Sequence, residues 1–300
     1  MAGNAAGAGI GPLLLGRVGF SDEGAAAHGA TVGKADSLPF DTSVANQARI
    51  YDYLLGGKDN YAVDREAAEA WRAINPDVGF TAQANRAFLG RAVRYLAADA
   101  GIRQFLDIGT GIPTAGNTHQ IAQGVAPESR VVYVDYDPVV LAHARALLNS
   151  SDAGATQYIH ADLRDTGKIL TQAAELLDFT RPVAVTLIAI LHAIPDSDDP
   201  HAIVAAVMDA LPSGSYLAVS HAGIDFLDDK QRRALEVLTH RMRTQQQFTL
   251  RTREQVARFF EGLDLVEPGL VPVEEWRPAP GTEQTPMSAL WGGVGLRACR

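Results

Sequence analysis

The sequence predicts an α/β fold: a doubly wound, mostly parallel sheet of seven strands with an antiparallel C-terminal strand, preceded by a helical segment. Three observations lead there. From residue 104 onward, short β-branched or apolar runs alternate with helical patterns, as in successive βαβ units. Residues 183–191 form a continuous apolar run, which suits a central parallel strand covered on both faces. The chain closes on two strand-like runs with no helix between them, which suits an antiparallel pair at a sheet edge.

Residues 1–38 hold nine glycines and nine alanines. Such a stretch loses much chain entropy on ordering and buries little, so it is expected to be a disordered tail. Its apolar cluster at 10–15 is interrupted by Gly11 and Pro12 and follows no basic stretch, so it does not read as a secretion signal. Between residues 43 and 55, Val44, Ala48, Tyr51 and Leu55 recur at helical spacing, and Gly56-Gly57 supplies a stop. Asp64 is expected to cap a second helix through Ala67, Ala70, Trp71 and Ile74. Thr81 is expected to cap a third through Phe88, Leu89, Ala92, Val93 and Leu96. Residues 39–100 are thus read as an N-terminal helical cap and 101–300 as the sheet domain. Strands are expected at 104–108, 131–134, 157–160, 183–191 and 216–220, then at 263–273, broken at Pro268-Gly269, and at 289–297. Helices fall at 118–124, 138–148, 167–179 and 200–211, then around 228–243 and 252–260.

Composition excludes several classes. With 47% hydrophobic and 20% charged residues over 300 positions, the chain is neither wholly disordered nor a fibrous repeat. The single cysteine, Cys299, cannot form an intrachain disulfide, which favours a cytoplasmic location. A net charge of -9 argues against a large nucleic-acid footprint. No apolar stretch is long enough to span a membrane. No His, Cys, Asp or Glu cluster has metal-ligand spacing, so no metal is expected.

The most informative segment is Asp107-Ile108-Gly109-Thr110-Gly111-Ile112-Pro113. A strand runs into a turn where Gly109 and Gly111 let the backbone approach a ligand closely. A helix is expected to start near Pro113-Thr114, its free N–H groups suited to a carboxylate or phosphate. Asp107 can accept from a ligand ammonium. The dinucleotide fingerprint fails, because Thr114 stands where a third glycine belongs. Twenty-six residues beyond Gly109, Asp135 ends the second strand, where a carboxylate can take both hydroxyls of a ribose; Asp137 is the alternative. Asp162, after the third strand, can accept from an adenine amino group. Singly, each acid reads as a cap or a solvated turn residue. One after each of the first three strands reads as a nucleoside site.

These motifs, with Val134-Asp135-Tyr136-Asp137-Pro138, Ala161-Asp162-Leu163 and Ile190-Leu191-His192-Ala193-Ile194-Pro195-Asp196, resemble those of Rossmann-like class I methyltransferases that use S-adenosyl-L-methionine. Tyr51-Asp52-Tyr53-Leu54-Leu55-Gly56-Gly57-Lys58-Asp59-Asn60 is similar to one actinobacterial family among them, formerly a domain of unknown function, and the resemblance spans about residues 41–298. It implies S-adenosylmethionine as cofactor, S-adenosylhomocysteine as product and a small-molecule acceptor methylated on oxygen or nitrogen. The cofactor-binding candidates are Asp107, Gly109, Thr110, Gly111, Asp135, Tyr136, Asp162 and Leu163. Tyr51, Lys58, Asp59 and Asn60 join them, as a polar stretch around a Gly-Gly hinge that caps the methionine part. Two departures stand out: Pro113, which removes an N–H, and Arg181-Pro182-Val183, where an Asp is usual at the start of the fourth strand. Because the donor is already activated, the protein mainly positions the reactants and excludes water. His192 and His221, after the fourth and fifth strands, are the candidate bases. Two other classes compete: a non-catalytic S-adenosylmethionine-binding regulator and a nicotinamide-dependent oxidoreductase. The oligomeric state stays open, a homo-oligomer included.

Overall fold

The computed structural model describes residues 41–299 except 148–149, 242–247 and 282–286; the expected tail at 1–38 lies outside the described residues. Helix α1 (Gln47–Leu54) starts behind Asn46, whose side chain accepts from the N–H groups of Ala48 and Arg49. Helix α2 (Ala62–Ile74) is capped by Tyr61, and Asp64 stands one turn inside it. Asp64 is not the cap expected of it. Fully buried, its carboxylate accepts from the Tyr61 and Asn46 N–H groups and from Arg49 Nε at 2.9 Å, which joins the starts of two helices. Helix α3 (Val78–Ala98) begins three residues before Thr81, behind Asp77.

Strands and helices then alternate: β1 (Gln104–Ile108), α4 (Thr118–Val125), β2 (Arg130–Asp135), α5 (Pro138–Leu147), β3 (Ala155–His160), α6 (Thr166–Ala173), β4 (Ala184–Ile188), α7 (Pro200–Asp209) and β5 (Tyr216–Ala222). Helices α8 (Asp229–Arg241) and α9 (Arg253–Ala257) precede β6 (Asp264–Leu265), β7 (Val271–Pro272) and β8 (Leu290–Leu296). The sheet order is β3-β2-β1-β4-β5-β8-β6, with β7 also on β8; strands β1 to β5 are parallel and β8 pairs antiparallel with β5. The eighth strand arises because the expected run at 263–273 is cut. Pro268 offers no N–H and Gly269 turns at φ +92°, so β6 and β7 pair separately with β8.

Period-two alternation sends each strand's side chains to two cores. Leu106, Ile108, Val132 and Val134 face Ile169 of α6 and Val204 and Val207 of α7, whereas Phe105, Val131 and Tyr133 face Phe88, Val93 and Leu96 of α3 and Ala122 of α4. Helix α3 therefore supplies much of one sheet-face core, which fixes its neighbouring residues relative to the strand ends. A smaller cluster, including Ile50, Leu54, Ala68 and Ala82, joins α1 and α2 to the start of α3. Among the described residues no helix is long and apolar enough to cross a membrane, and no group of His, Cys, Asp or Glu is placed to hold a metal.

Candidate functional site

Parallel strands bring their C-terminal ends to one edge of the sheet, where open α/β folds bind ligands. A cavity lies there, lined by Asp107, Gly109, Thr110, Gly111, Asp135, Tyr136 and His192 from the strand ends and by Tyr51 from α1. Those eight sequence candidates thus share one cavity.

The glycine loop is pinned to the end of β2. Gly109 N–H donates to Val134 O at 2.8 Å, and Thr110 Oγ1 donates to Val134 O and Asp107 O. Gly109 turns at φ +78°, and a Cβ there would lie 2.5 Å from Ile190, so glycine is required by both backbone and space. Gly111 N–H donates to Asp135 Oδ2 and Asp137 N–H to Asp135 Oδ1, each at 2.9 Å. Burial pushes the Asp135 carboxyl up to about 6, although these two donors pull the other way. Each oxygen keeps a lone pair for a further donor. Asp107 is more enclosed. Its oxygens accept from Thr118 Oγ1 at 2.6 Å and Thr186 Oγ1 at 2.8 Å, which ties β1 to α4 and β4, and burial raises its carboxyl above the usual range. Tyr136 is half-buried beside these acids, and burial raises its hydroxyl to about 12. The helix expected near Pro113 begins instead at Thr118, because Asn117 and Gln120 form its capping box. The intervening loop is held partly by Arg86 of α3, which donates to Ala115 O and Gly116 O.

Other expected contacts take different places. Asp162 is paired with Arg164 at 2.9 Å and is absent from the cavity lining, and Leu163 is buried in the sheet core. Lys58, Asp59 and Asn60 are likewise not lining residues. Their turn is organised by buried Asp52, whose Oδ2 accepts from Asp59 N–H and Asn60 Nδ2, both at 2.9 Å. Asn60 Oδ1 in turn accepts from Arg65. A Cβ on Gly57 would sit 2.0 Å from Asp52 Oδ1, and Gly56 turns at φ +82°. The Asp52 and Asn60 side chains are thus used inside the turn, whereas the Asp59 carboxylate faces His143 of α5, 3.8 Å from its Nδ1. Tyr51 does reach the cavity, in a chain in which Ser220 Oγ donates to Asn85 Oδ1, Asn85 Nδ2 to Tyr51 Oη, and Tyr51 Oη to Ala82 O.

The two histidines part ways. His221 is fully buried outside the cavity lining. Arg251 Nη1 donates to its Nε2 at 2.8 Å, so its proton is on Nδ1, which donates to Ala222 O. Burial depresses its pKa to about 3. Both nitrogens are occupied, which leaves it a structural role rather than that of a base. His192 lines the cavity on the loop after β4. Its Nε2 pairs with the Gln47 side-chain amide, and its buried Nδ1 has no hydrogen-bond partner. Burial, with the nearby His221 and Arg251, holds it well below the usual imidazole range and therefore neutral. Arg251 fixes this loop by donating to Leu191 O, Ile194 O and Asp196 Oδ1.

Sequence reading missed Gln47, Asn85, Arg86 and Phe248 as lining residues. Helical periodicity marks Asn85 and Arg86 only as polar positions among apolar ones. The face that meets the strand ends is decided by how α3 packs.

The fold is Rossmann-like, and the family it serves is one of S-adenosylmethionine-dependent methyltransferases. A family model described as S-adenosyl methyltransferase matches residues 33–298, and the chain belongs to that family. It is similar to a DUF574-family protein from Streptomyces avermitilis MA-4680, with 46% identity, 86% of this chain and 99% of that one covered, and a TM-score of 0.80. It is also similar to a candidate methyltransferase from Thermobifida fusca YX, with 38% identity, 86% and 97% covered, and a TM-score of 0.78. No curated protein matches the chain.

Proposed function

We propose that the chain transfers the methyl group of S-adenosylmethionine to a hydroxyl or amine of a small molecule held beside His192. The observation that carries this reading is a buried, neutral His192 whose Nδ1 has no partner, in the same cavity as the glycine loop and Asp135. The residues fit the cofactor: a partly exposed carboxylate at Asp135 for the ribose, and a glycine loop that permits close approach. Arg86, the one cationic side chain lining the cavity among the described residues, suits the methionine carboxylate. It would replace the donor that Pro113 lacks. When bound, the cofactor supplies a methyl group on a sulfonium: the acceptor heteroatom–carbon bond forms, the sulfur–carbon bond breaks, and sulfur keeps the electron pair as a thioether.

The protein's part is to align, to exclude water and to handle one proton. Gln47 sets the His192 tautomer. Its amide nitrogen faces His192 Nε2, which leaves the proton on Nδ1 to hold the acceptor's heteroatom; with the amide turned over, the Nδ1 lone pair is left for the acceptor's proton.

The test is a small-molecule extract incubated with methyl-labelled S-adenosylmethionine. Label is expected in a small-molecule fraction, with turnover lost and S-adenosylhomocysteine affinity kept in His192→Gln. Label confined to macromolecules, or undiminished turnover in the variant, would contradict the proposal.

A further inference from the structure

We infer that the acceptor is an electrically neutral molecule with an apolar, ring-sized body, bound in the half of the cavity at the ends of β4 and β5; this deepens the proposed function and rests on it. Across the sheet the order is β2, β1, β4, β5. Among the described residues the charged side chains lining the cavity are Arg86, Asp107 and Asp135. Asp135 ends β2, Asp107 lies in β1, and Arg86 is bonded to the loop after β1. All three therefore belong to the β1–β2 half, where the ribose and amino-acid ends of the cofactor need them.

The remaining half is walled by Leu54, Trp71, Ile74, Val78, Leu227 and Phe248. The Trp71 ring meets Phe248 edge-on with centroids 4.6 Å apart, and Phe248 lies 4.5 Å from His192. An aromatic wall thus runs from α2 to His192. A charged acceptor would lose its hydration there with no counter-charge in return. A flat apolar body keeps its contacts and pays no such penalty.

Two buried polar atoms on this wall have no hydrogen-bond partner, His192 Nδ1 and Trp71 Nε1. Buried polar groups are normally satisfied, and an indole N–H can only donate. The matching ligand therefore carries its reacting hydroxyl or amine at His192, against the Trp71–Phe248 wall. Charge balance agrees. A neutral acceptor gains the methyl group and releases its proton to His192 or water, so it leaves neutral, and the sulfonium becomes a neutral thioether. This half of the cavity then never holds a lasting net charge.

The test is calorimetry on the full chain, first with S-adenosylhomocysteine and then, on the saturated complex, with 2-naphthol and 2-naphthoate, which share a ring system and differ in charge. The expected result is 2-naphthol binding about tenfold or more tighter than 2-naphthoate, a gap of about 1.4 kcal/mol or more. Val78→Asp places a carboxylate at the first residue of α3, where the helix dipole favours it, on a side chain only partly buried beside the Ile50–Leu54–Ala82 cluster. It should keep S-adenosylhomocysteine affinity and lose 2-naphthol. Naphthoate binding as well as naphthol, no naphthol binding, or naphthol retained by Val78→Asp would each overturn the inference while leaving the cofactor reading intact. Failure of S-adenosylhomocysteine to bind in the first titration would overturn both.

Discussion

Asp135 is the residue whose chemistry is most exposed to test, because in the proposed ribose contact its protonation would oppose cofactor binding. Its carboxyl is pushed up by burial from the ordinary 3.8 to about 6. Ribose hydroxyls donate to the ionised form, so S-adenosylhomocysteine affinity should fall as pH drops through about 6, approaching tenfold per pH unit below it. Asp135→Asn should flatten that dependence. Ligand-free stability runs the other way: between 3.8 and about 6 the folded chain binds the proton that the unfolded chain has released, so stability rises as pH falls across that window. Thermal midpoints and calorimetry over pH 5–8 check both signs. Arg86 gives a second, separable prediction. Arg86→Gln should weaken S-adenosylhomocysteine by about 1.5–3 kcal/mol, the range of a hydrogen bond to a charged group. It should leave 5′-methylthioadenosine, which has no carboxylate, nearly unchanged; equal losses for both ligands would remove Arg86 from the methionine site.

At the scale of elements, the turn after α1 and the loop after β4 are built to different ends. Asp52 holds the turn through the Asp59 N–H, which Ala keeps, and through Asn60 Nδ2, which Ala removes, so replacing Asp59 and Asn60 together with Ala should lower the ligand-free thermal midpoint through the loss at Asn60 and leave S-adenosylhomocysteine affinity close to normal. Affinity lost with stability retained would instead return the turn to the cofactor. Gly57→Ala should be worse, about 2 kcal/mol or more, because its Cβ cannot coexist with the Asp52 carboxylate. The loop after β4 depends on Arg251, which is 1% exposed. Arg251→Met strands two carbonyls and the His221 Nε2, and should cost about 2–4 kcal/mol in denaturant unfolding. These elements show where the sequence is legible and where it is not. Asp107, Gly109, Gly111 and Asp135 could be located because parallel strands deliver their ends to one edge whatever the rest does. Polarity and the Gly56-Gly57 hinge mark Lys58, Asp59 and Asn60 as ligand contacts in the sequence. Short polar side chains satisfy local backbone just as readily, and that competition leaves no periodic signal. Arg86 and Phe248 were invisible for the opposite reason, since only tertiary packing brings them to the cavity.

For the whole molecule, the sheet order sorts the chemistry. Acids and glycines gather at β1 and β2, His192 stands at β4, and an apolar, aromatic wall continues toward β5. Helix α3 spans this arrangement, packing on the sheet through Phe88, Val93 and Leu96 while Asn85 and Arg86 line the cavity. The first strands were expected from alternation alone. The division of the last pair into β6, β7 and β8 was not, because pairing with β8 lets two-residue segments count as strands that no pattern in so short a stretch can announce. The account stands on the claim that this cavity holds S-adenosylmethionine with Asp135 on its ribose. The most direct test is calorimetric titration of S-adenosylhomocysteine into the wild-type chain and Asp135→Asn at pH 7.5. The account predicts one-to-one binding that weakens by about 1–3 kcal/mol in the variant. No binding to the wild type, or equal binding to both, would contradict it.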